Sequence, residues 1–161
     1  MKIELKNLKH SPSLSEETNA FTATVYVDGK PLCHASNHGT GGPDRYHAIA
    51  PKTHADIDAV NAWLKTNRPA DTSHGITIEH DLEIEVGDLL DAQVRSKALT
   101  RLVRTKIVVL DENNGDPFLS TYPAKYKPTA ENLAKVAKTL KTGQTVVNGN
   151  PAVEDRALKL V

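Results

Sequence analysis

The segment AFTATVYVDGKPLCHAS constrains the fold more than any other part of the chain. Two runs rich in β-branched and aromatic residues flank Asp28 and Gly29. A type I′ hairpin turn favours this pair because both of its central residues need a positive φ. A two-residue turn fixes the strand register, which predicts Val25 opposite Leu32 and places Cys33 on the other face from Val25. The chain therefore contains an antiparallel hairpin close to its N-terminus.

Periodicity predicts the other elements. THADIDAVNAWLKTN predicts a helix capped by Thr53, and PTAENLAKVAKTLKTG predicts another. ITIEHDLEIEV alternates over its whole length and predicts a strand over residues 76–86, followed by a helix from Asp88 to Arg104. KIVVL is apolar on both faces and predicts an interior strand. We expect the α+β class, with a mainly antiparallel sheet and three to four helices packed on one face.

Length and composition favour one domain. The chain has 161 residues, and we expect a single α+β domain over 1–161, with a β-hairpin region at 1–50 and helices and strands over 51–161. No apolar run is long enough to span a bilayer, and the N-terminus does not have the pattern of a signal peptide. Cys33 is the lone cysteine, so no internal disulfide can form. These features predict a cytoplasmic protein without a membrane partner.

SNHGTGGPDRYH, residues 36–47, is the segment richest in candidate ligand groups, and we call it the glycine loop. Its glycines allow backbone N–H groups to converge on an anion, and its arginine can make a bidentate contact to phosphate or carboxylate. The alternative is a glycine-rich connector between two ordered elements. The predicted ligand-binding residues are Asn37, His38, Gly39, Gly41, Gly42, Arg45, Tyr46 and His47.

Charge is unevenly distributed, although the whole chain has a net charge of zero. Residues 1–88 carry 8 Lys/Arg and 13 Asp/Glu, a net charge of −5, and residues 89–161 carry 12 and 7, a net charge of +5. An acidic strand face and a basic helix face are predicted to contact a partner; a solvated surface is the alternative for both. The residues of these two faces are Glu79, Asp81, Glu83 and Glu85, and Lys97, Arg101 and Arg104.

A basic helix face can indicate nucleic-acid binding, but zero net charge and the absence of a recognition motif argue against nucleic acid. The asymmetry also allows a homodimer in which the oppositely charged halves meet. Cys33 and the histidines suggest a metal, yet the chain has no established ligand spacing, so we expect neither a metal nor a cofactor. His34 and His80 are expected on apolar strand faces as core histidines. His74 is another of the histidines considered as a metal ligand.

The YVDGK hairpin, followed by Ser-Asn-x-Gly-x-Gly-Gly and then a histidine, resembles small uncharacterised proteins of bacteriophages and mobile elements. The resemblance covers about the N-terminal third of the chain and brings no known activity. It implies a non-enzymatic cytosolic protein that binds a host defence protein or a small anionic or nucleotide ligand. No catalytic residue is predicted. The alternatives are a small metal-dependent hydrolase or nuclease using His38, His47 and Asp44, and a structural virion protein.

Overall fold

The computed structural model describes residues 1–72, 75–113 and 115–161. The chain forms two compact units, residues 1–91 and residues 92–161. Four α-helices and antiparallel strands in two sheets confirm the predicted α+β class, although the strands form two sheets where one was expected. Within the described residues, none of the helices combines the length and apolar character needed to cross a membrane.

The first unit contains four strands, one helix and the start of a second helix. Their bounds are β1 Ile3–His10, β2 Phe21–Val27, β3 Lys30–Asn37, β4 Arg45–Ala48, α1 His54–Asn67 and α2 Leu82–Thr105. The strands form an antiparallel sheet in the order β1-β2-β3-β4. A short 3₁₀ turn over Pro12–Leu14 lies between β1 and β2, and helix α1 follows β4 and contacts β3 and β4. Helix α2 begins in this unit and continues into the second.

Local turn and cap signals are confirmed. Asp28 and Gly29 have φ values of 47° and 78°, as the predicted hairpin turn between β2 and β3 requires. Helix α1 begins immediately after Thr53, whose backbone N–H donates to the Asp56 carboxylate at 2.8 Å. This contact satisfies a backbone donor at the start of the helix, so the sequence signal and the observed boundary agree.

The predicted register of the hairpin is wrong. Val25 lies opposite Cys33 rather than Leu32, because β3 carries one extra residue at a bulge. Pro31 lies beside this bulge and has no N–H to donate to the ladder, and proline is commonly found at such positions. Cys33 consequently shares the buried face with Val25, and His34 is exposed instead of lying on an apolar face.

The strand predicted over 76–86 is also wrong, since helix α2 begins at Leu82. The alternating pattern also contains a four-residue spacing, and Leu82, Val86 and Leu90 are all buried. Asp81 caps this helix, since its carboxylate accepts the Ile84 N–H at 3.0 Å. Glutamate is depleted in strands and is favourable in the first turn of a helix. His80 therefore precedes a helix and does not lie on a strand face.

Strand β4, Arg45–Ala48, was not predicted as a strand. It pairs antiparallel with β3, with Ser36 opposite Arg45 and Ala35 opposite Tyr46. The glycine loop therefore includes the end of one strand, the connection and the start of the next strand. This placement puts both ends of the predicted ligand segment on a rigid sheet.

The elements of the second unit after α2 are β5 Val108–Asp111, β6 Phe118–Thr121, α3 Ala130–Ala137, β7 Gln144–Val146 and α4 Pro151–Ala157. The three strands form a sheet in the order β6-β5-β7. Val108 packs with Leu99 of α2, whereas Val109 packs with Val136 of α3. Both faces of β5 are therefore covered, which confirms the prediction of an interior strand.

Candidate functional site

The glycine loop is bonded to the segment that precedes β2. The carbonyl oxygen of Gly39 accepts the backbone N–H groups of Glu16, Glu17 and Thr18 at 2.9, 3.0 and 3.3 Å. Gly39 has a φ of 88°, and a Cβ at this position would overlap the carbonyl oxygen of Leu14. Both the backbone conformation and the close approach therefore require glycine here.

Asn37 organises the interior of the glycine loop. Its side-chain oxygen accepts from the Gly39 N–H at 2.8 Å and from the Thr18 hydroxyl at 2.9 Å. Its side-chain nitrogen donates to the Gly42 carbonyl at 2.8 Å and to the Asp44 carboxylate at 2.9 Å. Asn37 is buried, and these four bonds use both hydrogens of its amide nitrogen and both lone pairs of its oxygen.

The N–H groups expected to form an anion-binding nest already have partners at two positions. The Gly39 N–H donates to Asn37, and the Gly41 N–H donates to the Thr18 hydroxyl at 3.3 Å. The N–H groups that do converge belong to residues 16–18, and they converge on the Gly39 carbonyl oxygen. The backbone of the glycine loop thus stabilises the loop itself, and its side chains remain as the ligand groups.

Arg45, His38 and His47 are exposed. Arg45 Nη1 lies 3.3 Å from His38 Nε2. Because a guanidinium can only donate, this bond requires an unprotonated Nε2 and leaves the proton of a neutral His38 on Nδ1. His47 lies opposite His34, which is also exposed. His38 therefore lies beside Arg45, and His47 lies beside His34, which was expected in the core.

Tyr46 does not share this exposure. Its hydroxyl lies 3.1 Å from the Asp44 carboxylate and donates to it, with the Leu82 carbonyl oxygen at 3.4 Å. Burial raises the pKa of Tyr46 far above its ordinary range, and the Asp44 charge raises it further. The phenol therefore stays protonated and joins β4 to the start of α2.

A cavity of about 320 Å³ lies at the end of the sheet beside the glycine loop, and we call it the His10–His38 cavity. Lys9 and the two histidines supply positive or protonatable groups, and Ala20 and Phe21 are the buried apolar residues of its lining. Of the described residues that line it, none is Asp or Glu. The lining residues are Lys9, His10, Ser11, Leu14, Ala20, Phe21, Thr22, Asn37 and His38.

The ring of His10 is held in one orientation. Its Nε2 lies 3.1 Å from the side-chain oxygen of Asn19, whose amide nitrogen donates to Asp91 at 3.2 Å. Because the Asn19 oxygen can only accept, Nε2 carries the proton and Nδ1 of a neutral His10 is an acceptor. Lys9 and His10 were not predicted as site residues, since nothing local to residues 9–10 indicates that they lie beside Asn37 and His38.

The four acidic residues predicted to contact a partner do not form one strand face, because this segment is not a strand. Asp81 caps helix α2, as described above. Glu79 pairs with Lys65 at 2.6 Å, and Glu83 accepts the backbone N–H of Asp44 at 3.3 Å. Each of these acidic groups therefore has an intramolecular partner.

Glu85 is the most enclosed of these acidic residues, with its side chain 10% exposed. Arg68 donates to both of its carboxylate oxygens, from Nε at 3.0 Å and from Nη2 at 2.8 Å. His80 Nε2 lies 2.9 Å from the same carboxylate. The bonds from Arg68 lower the pKa of Glu85 below its ordinary value, although burial opposes that shift. This cluster joins the end of α1 to the start of α2.

The basic face (Lys97, Arg101 and Arg104) lies in the second unit and matches the sequence prediction. All three residues are exposed on helix α2, at the predicted spacing of i, i+4 and i+7. Together with Ser96 and Thr100 they line a shallow depression of about 290 Å³. Within the described part of the chain, none of the three side chains makes an ion pair or a hydrogen bond.

The structure does not support a metal site or a reactive thiol among the described residues. No three His, Cys, Asp or Glu residues there are grouped so that they could hold a metal ion, and the predicted alternative of His38, His47 and Asp44 is not such a group. His74 lies outside the described residues. Burial raises the pKa of the Cys33 thiol to about 11, which disfavours the nucleophilic thiolate.

No protein-family model, curated protein or solved structure matches this chain.

Proposed function

We propose that this chain is a binding protein without catalytic chemistry of its own, and that its ligand is a small anion held in the His10–His38 cavity. The observation that carries the proposal is the composition of the lining. Lys9, His10 and His38 face a cavity of about 320 Å³, and no carboxylate lines it among the described residues. A small anion would find the charge of Lys9 and the donors of His38, Ser11 and Thr22 there, without a competing negative group.

The size and apolar part of the cavity narrow the ligand class. Small-molecule sites occupy roughly 300–1,000 Å³, so a ligand of about the size of a mononucleotide is at the upper end of what this cavity holds. The exposed side chain of Leu14 offers an apolar surface to a base or another flat group, while Lys9 and His38 are placed to contact a phosphate. A nucleoside monophosphate combines both features and is the ligand class we propose.

The hydrogen bonds of the glycine loop support this function indirectly. The Gly39 carbonyl and the Asn37 side chain bind the loop to the segment before β2, and both segments contribute to the cavity lining. A wall that is already ordered loses less entropy when a ligand binds. The resemblance described above predicts a viral origin and a host defence protein as partner, and both remain predictions. A structural virion protein, the alternative function, would differ from a ligand-binding protein by forming a large closed assembly.

The proposal is tested by calorimetric titration of the full chain with adenosine monophosphate, with adenosine and with inorganic phosphate. We expect adenosine monophosphate to bind and adenosine to bind at least tenfold more weakly, because the charged contacts are lost. Lys9→Ala is expected to weaken binding of adenosine monophosphate by about tenfold to a hundredfold, since a hydrogen bond to a charged group contributes about 1.5–3 kcal/mol.

Lys30→Ala is the matched control, because Lys30 is an exposed lysine of the same unit that does not line the cavity. It removes the same charge and should leave the affinity unchanged. Equal weakening by both variants would show that only the overall charge matters. Equal binding of adenosine and adenosine monophosphate would show that the cavity does not recognise the anion. Either result contradicts the proposal.

A further inference from the structure

The division of the chain into two units changes the meaning of its zero net charge. Residues 1–91 carry 8 Lys/Arg and 14 Asp/Glu, a net charge of −6, whereas residues 92–161 carry 12 and 6, a net charge of +6. The objection that a neutral chain does not attract nucleic acid therefore does not apply to the second unit. By itself that unit is strongly basic, which is the electrostatic property of proteins that bind polyanions.

The part of helix α2 that belongs to the second unit carries positive charge and no negative charge. No Asp or Glu occurs between Asp91 and Asp111, and five Lys or Arg residues lie in this interval. Lys97, Arg101 and Arg104 have like-charged neighbours at three and four residues, an arrangement that destabilises a helix by a few tenths of a kcal/mol for each pair. No carboxylate in the described part of the chain forms an ion pair with these three side chains.

We propose that the basic face of α2 binds the phosphate backbone of a nucleic acid without reading its sequence. The face extends over about 10 Å of helix, which allows its three cations to meet separate phosphates of one strand, whereas one small anion would reach fewer of them. Arg101 and Arg104 carry the guanidinium fork that suits phosphate, and Ser96 and Thr100 place hydroxyl donors in the same depression.

The same face explains why binding is expected to be independent of sequence. Its side chains are cations and hydroxyls, the groups that proteins use to contact phosphates and sugars. The depression has no aromatic residue in its lining, so bases have no side chain on which to stack. An acidic protein surface is the competing partner, and its carboxylates lack the regular spacing and high charge density of a nucleic-acid strand.

The test is fluorescence anisotropy of the full chain with labelled duplex DNA of mixed sequence, from 50 to 200 mM salt. Three phosphate contacts predict a slope of about −2.7 for log affinity against log salt, so the affinity should fall about 40-fold over this range. The triple variant Lys97→Ala, Arg101→Ala and Arg104→Ala should lose most of the affinity at 50 mM salt together with this salt dependence.

The matched control replaces three other exposed lysines of the same unit, Lys127→Ala, Lys138→Ala and Lys159→Ala. It removes equal charge and should bind within about threefold of the unmodified chain, and thermal unfolding should show that both triple variants remain folded. Three results overturn the proposal: equal loss in both triple variants, no DNA binding at 50 mM salt, or polyglutamate binding as tightly as DNA. The cavity variant Lys9→Ala should bind DNA normally, so this test is independent of the nucleotide cavity.

Discussion

The glycine loop of the first unit and the basic face of the second are both rich in polar groups, yet the two regions use those groups differently. In the loop, the Asn37 side chain is fully bonded and the Gly39 backbone bonds through both its N–H and its carbonyl. On the basic face, three charged side chains have no partner in the described part of the chain. Polar composition alone therefore does not distinguish groups that stabilise the fold from groups left for a partner.

The strongest test of this comparison is Glu85→Ala, which removes the carboxylate that Arg68 and His80 share. We expect the free energy of unfolding to fall by about 2 to 3 kcal/mol, because the variant removes the charge-assisted hydrogen bonds that Arg68 makes to a largely buried carboxylate. Glu79→Ala is the control, since the Glu79–Lys65 pair is more than half exposed and should contribute less than about 1 kcal/mol. Urea unfolding measures both, and equal small losses would contradict a structural role for Glu85.

Gly39→Ala tests whether the glycine loop depends on its internal bonds. We expect a loss of about 2 kcal/mol or more, because the left-handed backbone costs about 1–2 kcal/mol and the new Cβ must displace the Leu14 carbonyl. Gly29→Ala is the matched substitution: its φ of 78° is similar, but a Cβ there meets nothing within 4 Å. If thermal unfolding shows the same loss for both variants, the close approach at Gly39 is energetically unimportant.

Low pH should weaken the ion pair between Arg68 and Glu85. Arg68 lowers the pKa of Glu85 in the folded chain, so below about pH 4.5 the unfolded chain takes up a proton at this site before the folded chain does. The stability that this carboxylate contributes is present above that pH and is lost as the pH falls further. The difference in unfolding free energy between the unmodified chain and Glu85→Gln should therefore shrink between pH 5 and pH 3. A constant difference would contradict this linkage.

The smallest effect is expected for the triple variant of the basic face. Removing three exposed cations that repel one another should change the free energy of unfolding by less than about 0.5 kcal/mol. We expect this change to be a slight increase in stability, because the repulsion is removed. A loss of more than about 1 kcal/mol in urea unfolding would show that these side chains already stabilise the fold. The contrast with Glu85→Ala would then disappear.

The elements that the sequence predicts correctly depend on contacts between near neighbours. The turn at Asp28 and Gly29 and the start of α1 after Thr53 are examples, because each is determined by the backbone of a few residues. The prediction of a strand over residues 76–86 was wrong because the apolar residues of this segment fit both a two-residue and a four-residue repeat. Burial of Leu82, Val86 and Leu90 decides between them, and burial is a property of the folded chain that the local pattern does not contain.

The candidate site shows the same limit. Gly39 and Asn37 were predicted as ligand groups, but their bonds to Thr18 and to the N–H groups before it come from a segment about twenty residues away. Lys9 and His10 were missed for the corresponding reason. The placement of the three basic residues side by side was predicted correctly, because they share one helix, where spacing alone decides which side chains are neighbours.

The Gly39 carbonyl oxygen has one further consequence, which concerns hydrogen exchange. The N–H groups of Glu16, Glu17 and Thr18 lie outside any helix or strand, yet all three donate to this single oxygen. Their amide protons should therefore exchange with solvent together, as one cooperative opening of the segment away from the glycine loop. A ligand that occupies the adjoining cavity would slow all three amides by the same factor.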